Sequence, residues 1–71
     1  MFRLVDIGSG FGKRREIRIT DGLYTQCVCA VLVKDTDYVR EWDCYAFGRR
    51  MKMIAEVKYG SELCWSLKVI S

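Results

Sequence analysis

MKMIAEVKYGSELCWSLKVI, residues 51 to 70, decides the fold class. In its first half Met51, Met53, Ala55, Val57 and Tyr59 alternate with Lys52, Ile54, Glu56 and Lys58. A period of two sends successive side chains to opposite faces, the pattern of a half-buried β-strand. The second half repeats it, with Leu63, Trp65, Leu67 and Val69 set against Cys64, Ser66, Lys68 and Ile70. Only Gly60, Ser61 and Glu62 separate the two runs, so the stretch reads as a β-hairpin. A three-residue loop at that point sets Val57 opposite Trp65 and Ala55 opposite Leu67. Trp65 is then expected on the core face.

Working outward, further turn signals occur at Asp21-Gly22, Lys34-Asp35-Thr36-Asp37 and Gly48-Arg49-Arg50. Their spacing is a strand plus a turn each time, as in an antiparallel meander. Phe2 to Ile7, Glu16 to Thr20 and Leu23 to Val33 read as strands. There is no proline to interrupt a ladder. The GSGFG segment from Gly8 to Gly12 reads as a flexible loop, because its glycines oppose any regular element. Thr36 to Phe47 fits two descriptions. Tyr38, Val39, Trp42, Tyr45 and Ala46 have helical spacing, with Asp35 or Thr36 as a cap and Gly48 beyond the end. The content of Tyr, Val, Trp, Cys and Phe favours strand. A four-residue loop from Lys34 to Asp37 would set Cys29 opposite Trp42 and Cys27 opposite Cys44. One apolar face then runs through Cys27, Cys29, Val31, Val33, Trp42, Cys44, Met51, Met53, Val57, Trp65 and Leu67. The expected fold is all-β: a five- or six-stranded antiparallel meander forming a small barrel or strongly bent sheet. The alternative is α+β, with one helix at about 36–47.

At 71 residues the chain is one small domain, 1–71. Such a chain buries only about 60% of its unfolded surface, so its stability is marginal. Half of it is apolar, 51%, with two Trp, four Tyr and three Phe, enough for one core and a remainder for a partner. A second copy would bury that excess, so a homo-oligomer is among the expected assemblies. No run approaches the roughly 20 apolar residues of a membrane span. The N-terminus lacks the apolar core of a signal peptide. The chain therefore reads as a complete small cytoplasmic protein, of a cell or of an infected host cell, with no membrane partner.

The net charge of +3 is unevenly spread. Residues 1–20 carry five basic and two acidic side chains, residues 21–47 two and five, and residues 48–71 five and two. Basic ends flank an acidic middle, a polarity that can steer a charged partner.

There is no histidine, which removes imidazole-based triads, dyads and zinc sites. The carboxylate pairs Asp35/Asp37 and Glu41/Asp43 read as solvated charges. The chain is expected to be no enzyme, with no cofactor and no metal. Cys27 and Cys29 share one face of a strand, but the paired knuckles of a four-cysteine zinc site are missing. The four cysteines are expected to be reduced, buried thiols that pack as small apolar groups. The glycine loop ends in Gly12-Lys13-Arg14-Arg15. A phosphate-binding loop needs a further glycine where Ile7 stands and a hydroxyl where Arg14 stands, so that motif fails. A basic loop remains. Phe11, Lys13, Arg14, Arg15, Arg49 and Arg50 are the expected partner-contacting residues, since arginine's planar fork grips carboxylate and phosphate.

The functional expectation is a non-catalytic protein-binding module with a protein partner. Small phage- or mobile-element-encoded inhibitors that occupy host defence complexes share this size and composition. The alternative is a small nucleic-acid-binding β-barrel that uses the basic loop.

Overall fold

The computed structural model describes residues 1–10 and 12–71. Its strands are β1 (Arg3–Asp6), β2 (Arg14–Thr20), β3 (Thr25–Asp35), β4 (Val39–Ala46), β5 (Arg49–Lys58) and β6 (Ser61–Val69). They form one antiparallel sheet in the order β1-β2-β3-β4-β5-β6. The sheet curls until β1 leans on β6 without a ladder between them, so the meander is a nearly closed barrel. No helix occurs among the described residues, and none is therefore long and apolar enough to cross a membrane.

Residues 36–47 are not helical. Trp42, Cys44 and Ala46 are buried at a period of two, while Glu41, Asp43 and Tyr45 point outward. Thr36 makes a turn instead of a cap: its hydroxyl oxygen accepts from Tyr38 N (3.2 Å) and Val39 N (3.0 Å). Helical spacing failed as a guide because the segment's aromatic and apolar residues lie on both faces of the strand.

The inward set is Ile17 and Ile19 on β2, Ala30 on β3, Trp42, Cys44 and Ala46 on β4, and Met51, Met53 and Ala55 on β5. Small barrels need small residues among the large ones to fill the interior, which is the part the alanines play. Phe2, Leu4, Ile7, Val28, Leu32, Phe47 and Leu67 pack around this set. On β3 the inward residues are therefore Val28, Ala30 and Leu32. The expected face of Cys27, Cys29, Val31 and Val33 points outward. Both faces of this strand are apolar, so alternation alone does not choose between them.

Register also differs from the expectation. The β5–β6 hairpin closes at Lys58↔Ser61 over the two-residue turn Tyr59-Gly60. Both turn residues have positive φ, 53° and 76°, as a tight hairpin matched to strand twist requires. A bulge at Cys64 (φ 52°) then resets the ladder, giving Met53↔Leu67 and Met51↔Val69. Trp65 lies beside this bulge and stays 39% exposed, so it is not the buried anchor its alternation suggested. The β3–β4 ladder runs only from Val31↔Asp43 to Asp35↔Arg40, with a bulge at Val33. Cys27 and Cys44 sit on opposite faces and cannot be bonded to each other.

The glycine loop folds back on β2. Glu16 N donates to Ser9 O at 3.2 Å. A Cβ at Gly8 would lie 1.9 Å from Glu16 O, and one at Gly10 2.0 Å from Arg14 O. These glycines allow close backbone approach, so Gly8 to Gly10 are pressed against the barrel wall.

Candidate functional site

The barrel has two features that a solid core does not need: a charged cluster at one end and an apolar groove on its outer wall. The cluster forms where β2 and β6 begin. Alternation sends Arg15, Arg40 and Glu62 inward on β2, β4 and β6. Arg15 Nη1 donates to Glu62 Oε1 at 2.7 Å, and Arg40 Nη1 to Glu62 Oε2 at 3.0 Å. Arg40 Nε also reaches Asp35 Oδ1 at 3.1 Å. The Arg15 guanidinium lies 4.8 Å from the centre of the Trp42 ring, a cation–π contact that covers the top of the core. Burial pushes the Glu62 carboxyl up, but the hydrogen bonds from Arg15 and Arg40 outweigh it and hold Glu62 below the usual glutamate value. Hydrogen bonds to Glu62, then to Asp35, hold the Arg40 guanidinium more firmly charged.

Every polar group in this cluster is matched by another, and no buried side-chain polar atom lacks a partner among the described residues. A satisfied network of this kind closes a barrel end.

The groove lies on the outer wall across β3, β4 and β5. It has a volume of about 570 Å³ and is lined by Cys29, Val31, Val33, Asp43, Tyr45, Arg50, Lys52 and Ile70, with Cys44 and Met51 at its floor. Its origin is the early end of the β3–β4 ladder. Below Val31↔Asp43 the two strands part, and the Gln26 side chain stands in for a strand by accepting from Phe47 N at 2.8 Å. The core thiol and thioether show through the gap. Val31 is 42% exposed, Val33 51% and Tyr45 67%. Contiguous exposed apolar stripes are uncommon on small monomeric domains.

Cations bracket the stripe. On β2, Arg14 sits opposite Val31 and Arg18 opposite Cys27, both exposed. On β5, Arg50 lines the far side. Lys52 is tied to Glu41 (3.1 Å) and Asp43 (3.7 Å), and Lys34 to Glu41 (3.8 Å). The acidic pair on β4 thus holds two lysines in place.

The expected partner-contacting residues separate accordingly. Arg14 and Arg50 flank the groove with β3 and β4 between them. Lys13 is exposed at the start of β2. Arg15 is committed to Glu62 and Trp42 inside the barrel end. Arg49 is exposed at the β4–β5 turn, with its guanidinium 5.8 Å from the Phe2 ring centre. Phe11 lies outside the described residues.

The groove residues on β3 were missed because they were assigned to the core. The signal for them was present: a strand apolar on both faces must leave one face outside in a single-walled barrel. Cys27, Cys29 and Cys64 are exposed, and only Cys44 is buried. Burial, then the Asp43 charge, pushes the Cys44 thiol up. Among the described residues no group of three or more His, Cys, Asp or Glu side chains is placed to hold a metal ion.

Comparison with protein-family models, with curated proteins and with solved structures gave no match to this chain, so its function has to be read from the surface itself.

Proposed function

We propose that this protein is a non-catalytic binding module that works by occupying the surface of another protein. The reading extends to the type of small inhibitor that phages and mobile elements direct at host defence complexes in the cytoplasm. The observation that supports it is the outer groove: an apolar stripe through Cys29, Val31, Val33 and Tyr45, bracketed by Arg14 and Arg50. Its chemistry suits a partner that offers an apolar ridge flanked by carboxylates. Apolar contacts at the centre supply the affinity. The arginines set orientation and encounter rate. The exposure of thirteen large apolar side chains among the described residues, Tyr38 and Tyr59 at the barrel end among them, is the same excess that the composition indicates.

The test is affinity capture from host lysate with the wild type and with Val31→Asp/Tyr45→Asp. Both substituted side chains point into water, so the fold should persist. The double variant is expected to bind the captured protein at least about tenfold more weakly. Lys13→Glu/Arg14→Glu should mainly slow association and reduce its salt dependence. Equal capture by wild type and Val31→Asp/Tyr45→Asp would rule the groove out as the contact surface. Retention on DNA-cellulose that collapses with added salt would favour the nucleic-acid reading instead.

A further inference from the structure

The outer edge of β6, nine residues long, carries no ladder. Ile70 N donates to Arg50 O at 2.8 Å. Together with the register Lys52↔Lys68 and Ile54↔Ser66, this turns the main-chain groups of Ser66, Lys68 and Ile70 toward β5. Those of Trp65, Leu67 and Val69 face the open side. β1, four residues long, leans on β6 but leaves Trp65 39% and Val69 37% exposed. Folded proteins normally blunt such an edge with charge, proline or a bulge. Here the bulge lies at Cys64, before the stretch begins. From Trp65 to Val69 there is a single charge, Lys68, and no proline or glycine.

We propose that this edge pairs, antiparallel, with the same edge of a second copy, across a two-fold axis at Leu67. That centre matches the free main-chain groups throughout. Trp65 meets Val69 of the second copy, Leu67 meets its own counterpart, and each such pair exchanges both N–H and C=O. On the inner face, tryptophan lies against valine and leucine against leucine. On the outer face Ser66 lies opposite Lys68 of the second copy, and no lysine meets a lysine. A sequence that reads this way against itself suits an isologous contact, in which one patch serves both subunits. Pairing would also complete the cover over Trp65 and Val69 and enlarge the common core of a domain too small to bury much surface alone. The contact uses the strand edge and not the outer groove, so it does not depend on the functional proposal.

Sedimentation equilibrium and amide hydrogen exchange on the whole chain, from about 1 µM to about 1 mM, test it. The expected result is a monomer–dimer equilibrium in which the amides of Trp65, Leu67 and Val69 become protected as dimer forms. The amides of Ser66 and Lys68, already bonded to β5, stay protected throughout. Ser66→Lys sets like charges opposite each other twice per dimer and should weaken dimerisation about tenfold; Ser66→Glu should strengthen it by a similar factor. Ser66 is exposed, so neither change should disturb the monomer. A monomer at about 1 mM would overturn the proposal. So would a dimer in which those three amides exchange as freely as in the monomer, or equal dimerisation constants for the two variants.

Discussion

Glu62 holds the charged end of the barrel together, and its side chain is only 10% exposed. Two arginines, from strands that are not its neighbours in the sheet, converge on its carboxylate. Removing the charge with Glu62→Gln should cost about 1–2 kcal/mol at neutral pH, less than a fully buried pair because both arginines keep some contact with water. The pH dependence follows from the direction of the shift. Glu62 sits below its ordinary value in the folded chain, so its contribution is complete above the unfolded value, near pH 4.3, and is lost as pH falls through the lower folded value. Urea denaturation of wild type and variant should show a gap at pH 7 that narrows as pH falls below the unfolded value and closes below the folded one. Nothing in the sequence pointed to this cluster. Arg15 stands in a basic triplet and reads as surface charge, while its partner lies 47 residues away. Pairing over such a span depends on strand order and barrel closure, which local composition does not encode. Arg14 and Arg50 were legible as exposed cations because each stands in a basic run that follows a glycine turn signal. Gly8 and Gly10 carried a signal that was misread, since glycine marks close backbone approach as readily as flexibility.

At the scale of the element, two hairpins turn on an aromatic residue followed by glycine. Phe47-Gly48 joins Ala46 to Arg49, and Tyr59-Gly60 joins Lys58 to Ser61. All four turn residues have positive φ, which costs a bulky L-residue roughly 1 kcal/mol. Phe47 recovers part of this by packing on Phe2, with ring centres 5.4 Å apart. Tyr59 is 94% exposed and has no such packing. Tyr59→Asn should therefore stabilise the domain by about 0.5–1 kcal/mol and raise the thermal midpoint by about 2–6 °C, readable by circular dichroism. The same turns explain which parts of the fold were legible. The strands β5 and β6 announce themselves by alternation, although only β5 has a buried face; on β6 Glu62 and Leu67 are no more than half-buried. Their register does not, because Tyr at the first turn position gives no sign of a two-residue loop and the Cys64 bulge shifts the count again. For β4, Thr36 could be read equally as a cap or a turn, and only the burial of Trp42, Cys44 and Ala46 separates the two. The groove was hidden for a related reason: β3 is apolar on both faces, so its sequence contains the groove wall without saying which side it is on.

For the whole molecule, the order of strands along the chain is also their order around the barrel. Each ladder joins neighbours in sequence, and β1 meets β6 without one. With six alternating strands, the start of β1 and the end of β6 come to the same end of the barrel. The covalent ends are then interchangeable with any of the turns. A circular permutant in which a short glycine-rich linker joins Ser71 to Met1, with new termini between Gly22 and Leu23, should fold to the same barrel. The cut falls at an exposed tip, where Leu23 is 88% exposed and tolerance to nicking is greatest. Its cooperative unfolding should survive, but its rate of folding should not. In the natural order every hairpin closes a short loop; in the permutant β2 must find β3 from the opposite end of the chain. Folding slower by about tenfold or more, measured by stopped-flow fluorescence, is the expected result. Equal folding rates would mean that the β2–β3 pairing forms after the rate-limiting step. The strands of a nearly closed meander are thus related as the beads of a clasped necklace are: where the clasp sits alters how quickly it is strung, and leaves the finished ring the same.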